Sequence, residues 1–180
     1  MQKKAIVIKS NIFFLNQGIE LLSNVSDKMY SSNDGNYNKS GIGRHFRHIV
    51  EHYFSLLNEE NAVVDYDARE RYLKLENSRK LMIETMEEIV FSLNQLLNKS
   101  DYLQKEIQVR SNEGIGEENS PLSKSTIHRE LQFLISHTVH HYALIGLILQ
   151  TMGFNLLPEF GVAPSTLKHE HEKNINVQAS

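Results

Sequence analysis

Cysteine is absent from this 180-residue chain, which excludes disulfides, iron–sulfur clusters and thiolate metal sites outright. Any metal must be held by imidazole, carboxylate, carbonyl or water. Also missing is an apolar run approaching the ~20 residues that a membrane span needs, so no membrane role is expected. The start, Met1-Gln2-Lys3-Lys4-Ala5-Ile6-Val7-Ile8, is weakly basic, but its apolar stretch breaks at Lys9. That is too short for a secretory core, and a cytoplasmic protein is expected. Positive charge is scattered rather than gathered, with 19 Lys and Arg against 22 Asp and Glu. A nucleic-acid binder carries a basic stripe that neutralises phosphates, so no nucleic-acid partner is expected. Internal repeats and low-complexity tracts are missing too.

What the chain does have is helical periodicity. Ile12, Leu15, Ile19, Leu22 and Val25 recur at spacings of three and four, one face of a first helix. Turn-forming residues from Ser31 to Asn36 end it. Ser40 is the expected N-cap of a second helix, whose apolar stripe is Ile42, Phe46, Ile49, Tyr53, Leu56 and Leu57, with Arg44, Arg47, Glu51 and Asn58 opposite. Residues 59–76 are charged and are expected to form a long connection with some helix. Met82, Met86, Ile89, Leu93, Leu96 and Leu97 mark a third helix. Residues 99–124 carry Gly114, Gly116 and Pro121 and are expected to be a crossover loop, with a short extended piece at Ile107-Gln108-Val109.

The fourth helix is expected to start at Ser125 as N-cap. Leu131, Leu134, Ile135, Leu144, Ile145, Ile148 and Met152 line it, and Gly153 stands where a glycine cap would stop it. Pro158, Gly161 and Pro164 then imply an irregular tail. Its apolar part, Phe160 to Leu167, is expected to fold back, across the pocket mouth if it reaches that far, with fraying after Lys168. The expected fold class is therefore all-α: a four-helix bundle with long crossover loops and an irregular C-terminal tail, where sites are built from facing helices. One domain over residues 1–168 and a polar tail over 169–180 are expected, a length sufficient for a real core.

Histidine is the unusual component. Of nine in the chain, His45, His48 and His52 share the second helix, and His128, His137, His140 and His141 lie on or near the fourth. His169 and His171 fall in the tail. His137 and His141 are four apart, so they stack one turn apart on one face, along the apolar stripe. Leaving a buried ring nitrogen without a partner costs about 1–3 kcal/mol, and a shared metal ion would satisfy both rings. Hydrogen bonds to carbonyls or side chains are the plainer alternative. Thr138 follows His137, so the His-Glu-x-x-His protease pattern does not apply. On the second helix His45 and His52 border the apolar stripe while His48 lies farther towards the polar side; the helical wheel does not choose well among them and, taken alone, slightly disfavours His48.

Arg47-His48-Ile49-Val50-Glu51-His52 resembles the second-helix signature of the DinB/YfiT-like family. His137-Thr138-Val139-His140-His141, followed by Met152-Gly153, resembles that family's fourth-helix signature. The resemblance runs over about residues 8–153. It implies a four-helix bundle with a divalent metal held by three histidines, here His48, His137 and His141. It makes His45 and His52 wall or supporting residues and leaves His140 facing a neighbouring helix or solvent. It further implies a thiol-dependent S-transferase with a small-molecule thiol and an electrophile as partners. The related sulfoxide synthases carry a glutamate two residues past the second histidine, where this chain has Ala143, so sulfoxide synthesis is not expected.

Three neutral imidazoles leave a coordination position open, the mark of a catalytic rather than a closed structural site. The ion is expected to be zinc or nickel, with iron or manganese as alternatives. Metal-dependent hydrolysis is the enzymatic alternative. A non-catalytic metal-binding stress or structural protein, dimeric through an exposed helix face, is the other. Arg44, Arg69 and Arg71 are candidate partners for a carboxylated thiol, with solvated surface charge as the plainer role. Tyr53 and Tyr142 are candidates for a hydrogen bond to a metal-bound group, with core packing as theirs.

Overall fold

The computed structural model describes residues 6–32, 41–99, 101–115 and 120–178. In chain order these form α1 (Ile6–Asn24), α2 (Asp27–Ser31), α3 (Ile42–Leu57), β1 (Val63–Asp65), α4 (Lys74–Asn77), α5 (Arg79–Leu96), a 3-10 turn (Tyr102–Gln104), β2 (Glu106–Arg110), β3 (Ser123–Thr126), α6 (Ile127–Thr151) and α7 (Pro164–Gln178). The all-α expectation is thereby corrected. Four long helices are present, but the architecture is mixed: a three-stranded sheet of order β1-β2-β3 accompanies seven helices among the described residues.

The long helices follow from their apolar spacing. α1 packs against α5 and α6, and α3 packs against the same two. Phe14, Leu15, Leu21 and Leu22 meet Phe46, Ile49, Met82, Met86, Leu131 and Leu134 in a core from which water is excluded. Burial of each such side chain contributes about 1.5–3 kcal/mol. Asn11 is buried among them and is satisfied: its Nδ2 donates to the carbonyls of Val7 and Leu131, and its Oδ1 accepts from the Tyr53 hydroxyl. Tyr142 is equally buried and donates to the Phe14 carbonyl at 2.8 Å. Both tyrosines are core groups. Gly18 makes the second of these contacts feasible, since a Cβ there would lie 2.1 Å from the Tyr142 hydroxyl oxygen.

The sheet arises inside the two segments read as connections. β2 alternates buried and partly exposed residues, with Ile107 and Val109 inward, the period of two that a half-covered strand requires. β1 pairs with it in parallel, Val64 opposite Val109, and β3 pairs antiparallel, Ile107 opposite Ser125. The extended piece at Ile107-Gln108-Val109 is thus the central strand. β3 leads directly into α6, so Ser125 is a strand residue and Thr126 is the N-cap, its side chain accepting from the Arg129 N–H. Ser40, the expected cap of α3, lies outside the described residues, as does Gly116.

α6 stops as its sequence implies. Gly153 has φ of 78°, the left-handed conformation that glycine adopts without a Cβ clash. The segment that follows folds back on α1 and α6: Phe160 stacks on Tyr142 at 4.6 Å, and Gln17 bonds both Glu159 and Gly161. Instead of fraying after Lys168, the chain continues as α7 to Gln178. No helix among the described residues is long and apolar enough to cross a membrane.

Candidate metal centre

Two helix faces supply the histidines. α3 and α6 pack against each other, and the turn-to-turn spacing of His48 with His52, and of His137 with His141, stacks each pair on the shared seam. Ring nitrogens of His48, His52 and His137 all lie within 4.8 Å of one another. His141 adjoins them, its ring centroid 4.7 Å from that of His48 and 4.6 Å from that of His137. Of the set implied by resemblance, His48 and His137 belong to the tightest group. His141 stands beside it, and His52 takes the remaining place. His45 extends the cluster outward, its Nδ1 3.0 Å from that of His141. His140 is exposed.

The surroundings hold these rings neutral. Burial lowers the pKa of His137 to about 2, reinforced by the neighbouring histidines. Burial likewise brings His48 and His141 to about 3 and His52 to about 4, and lowers His45. A neutral imidazole has a nitrogen lone pair to give, the form in which histidine binds metal.

Individual ring nitrogens are held differently. The Nδ1 of His52 is 2.8 Å from the His48 carbonyl, to which it donates, leaving Nε2 as the lone-pair atom. A guanidinium can only donate, so Arg69 Nη2, 3.2 Å from His48 Nδ1, places the His48 proton on Nε2. A cation must therefore displace Arg69 from Nδ1 or take Nε2 after that proton has moved. His137 Nδ1 is buried with no hydrogen-bond partner among the described residues. Such an orphan is costly, and a cation would remove that cost. Three imidazole nitrogens on a tetrahedral zinc lie ~3.3 Å apart, so the rings present need only a modest contraction. The donor set fits a divalent ion of borderline softness.

The sheet, of which only the central strand was expected from the sequence, builds the rest of the site. At the end of β1 the Asp65 carboxylate accepts from the N–H groups of Asp67 and Ala68, an Asx turn that reverses the chain. Arg110 and Asn112, on and just after β2, hold the turn through Asp65 and Asp67. Tyr66, immediately after β1, stacks on His52 at 5.2 Å, and its hydroxyl donates to Glu130. Phe133 closes the same side, 5.5 Å from His137. Beyond the turn, Arg69 reaches back to His48 and is anchored on the Tyr66 carbonyl.

Glu51 and Arg47, placed by the helical wheel on the polar face of the second helix, are buried instead. Residues 69–76 lie over that face. Tyr72 N–H donates to Glu51 Oε1, Arg47 and Arg69 stand 3.3 and 3.5 Å from its two oxygens, and Arg47 also pairs with Glu76. The two Glu51 contacts are charge–charge contacts without hydrogen-bond alignment, since Arg47 Nε, Arg69 Nε and Glu51 Oε2 have no hydrogen-bond partner among the described residues. Burial raises the Glu51 pKa, opposed by the Tyr72 N–H and by Arg47, Arg69 and Arg71. Glu51 thus fixes Arg69, which contacts His48.

A cavity of about 260 Å³ opens beside the cluster, lined by Arg44, Arg47, Arg69 and Arg71 together with His45, His48 and His141. Among the described residues none of the C-terminal segment lines it, so the expectation of a tail across its mouth is corrected. That segment lies on the α1–α6 seam.

No model of a known protein family matches the chain, and no solved structure matches it. Over 107 residues it is 30% identical to FK506-binding protein 5 of Rhizopus delemar, a stretch amounting to 59% of this chain and 27% of that protein. The chain therefore spans about a quarter of the relative it matches.

Proposed function

We propose that this protein is a divalent-metal-dependent transferase that joins a small thiol to an electrophilic carbon. The observation that carries the proposal is the convergence of neutral imidazoles from α3 and α6, His52 buried and the others half-buried, beside an open, arginine-lined cavity. The ligands proposed from the DinB/YfiT-like resemblance are His48, His137 and His141. Zinc or nickel is the proposed ion, with iron or manganese as alternatives. The fungal relative is named for binding FK506, and only a quarter of it is shared, so the reading rests on the histidines instead.

A divalent ion bound there would lower the pKa of a thiol and so provide a thiolate at neutral pH. The chain's own residues do the rest. Tyr66 and Phe133 keep water from one side of the rings. Arg69 and the His48 carbonyl orient His48 and His52. In the net reaction the thiol gives its proton to solvent, sulfur forms the new S–C bond, and the leaving group departs with the electron pair of the bond that breaks.

A specific observation favours a second reading. His52 has its Nε2 free and lies nearest His137, at 4.2 Å between ring centroids. If all four rings ligate at once, the coordination shell is closed and the ion is structural. Incubating metal-loaded protein with a panel of low-molecular-weight thiols and a chromogenic electrophile tests the transferase reading. A metal-dependent rate that disappears in His137→Ala is the expected result. Rates no higher than buffer with every thiol would rule the transferase out and leave the closed-site reading.

A further inference from the structure

The arginines beside the histidines are not equivalent. Arg47 and Arg69 are committed to Glu51, Glu76 and the Tyr66 carbonyl. Arg44 and Arg71 are exposed at the same cavity, and neither forms an ion pair with a carboxylate among the described residues. Glu70, the nearest acidic neighbour of Arg71 in sequence, acts on the Tyr72 hydroxyl and raises its pKa. Two exposed guanidinium groups without an ion pair among the described residues, at the rim of a site of neutral rings, form a positive patch. The planar fork of arginine favours carboxylate and phosphate oxygens.

Arg71 also borders a second hollow. This groove, of about 590 Å³, is lined by Phe54, Tyr72, Leu73, Leu75 and Leu81. Tyr72, Leu73 and Leu81 are 40%, 61% and 37% exposed. Such apolar exposure in a concave place marks a binding surface. The cavity at the histidines, about 260 Å³, falls below the roughly 300–1,000 Å³ of a typical small-molecule site. Arg71 lines both hollows.

We propose that the substrate is an amphipathic oxyanion. Its charged head sits on Arg44 and Arg71 beside the histidines, and its apolar body lies in the groove of Phe54, Tyr72, Leu73 and Leu81. This deepens the transferase reading by naming the substrate class, and it rests on that reading for the role of the adjacent histidines. The binding itself is separable, because neither arginine is a metal ligand.

Isothermal titration of the full chain, stripped of metal with a chelator and confirmed helical by circular dichroism, tests the proposal with decanoate, decanol and acetate as probes. Decanoate is expected to bind at least tenfold more tightly than either of the others. Arg71→Gln and Arg44→Gln should each weaken decanoate about tenfold. Leu73→Asn with Leu81→Asn should weaken decanoate while leaving acetate unchanged. Decanol binding as tightly as decanoate, acetate doing so, or indifference to both arginine variants would overturn the proposal, as would no binding of decanoate. Decanoate binding without metal-dependent thiol transfer would retire the transferase reading and leave this site standing. Transfer without decanoate binding would do the reverse.

Discussion

Imidazoles packed at centroid separations of 4.2–4.9 Å and held neutral are a liability at low pH. Each of His48, His52, His137 and His141 has a folded pKa well below its ordinary value of about 6.5. Between those values the unfolded chain binds more protons than the folded one, so stability rises with pH across that window. The chelator-treated protein is therefore expected to lose urea resistance progressively as pH falls from about 6.5 towards 4, and His137→Gln to lose less. A flat profile over that range would show that the rings are not held neutral by the fold. Arg69 acts through His48 rather than on any substrate, so it is a positioning residue. Arg69→Ala frees His48 Nδ1 and removes a neighbouring positive charge, so it should strengthen metal affinity while leaving helicity unchanged, as read by competition with a chromogenic chelator. Glu51→Ala strands two partly buried guanidinium groups. Breaking such a pair costs about 3 kcal/mol, which would appear as a lowered urea midpoint.

At the scale of elements, α6 carries two of the rings and depends on its start and its packing. Thr126→Ala removes the cap bond to the Arg129 N–H and should cost about 1 kcal/mol in chemical denaturation. Gly18→Ala forces a methyl group into the Tyr142 hydroxyl, an overpacking of about 1–3 kcal/mol with no direct effect on the histidine seam. The long helices were legible because apolar residues recur at three and four over several turns. The glycine stop at Gly153 was legible for a similarly local reason. The sheet was not: Ser123-Lys124-Ser125-Thr126 has no apolar alternation, and β1 is three residues long, so only pairing with β2 makes either a strand. Arg47 and Glu51 were misplaced because a wheel drawn for one helix cannot register residues 69–76 lying over its polar face. The same blindness affected His48, which looks peripheral on α3 alone and becomes central once α6 stands opposite. The Asx turn at Asp65 was visible in principle, but its consequence, Tyr66 and Arg69 returned to the histidines, depends on tertiary contacts.

For the molecule as a whole, the four long helices provide the stiffness and the small sheet provides the supporting side of the site. Such a division fits a centre whose ligands sit on rigid elements while its rim is built from a connection. An ion held between α3 and α6 ties two elements distant in sequence, so metal should stabilise the fold. At a free concentration 1,000-fold above Kd the gain is about 4 kcal/mol, seen as a raised Tm that a chelator reverses. The central claim is that imidazoles from two helices share one ion, and elemental analysis of purified wild-type protein beside His137→Ala, both confirmed helical, addresses it most directly. The account predicts about one divalent ion per wild-type chain and a large loss in the variant. Equal and negligible metal in both proteins would contradict it.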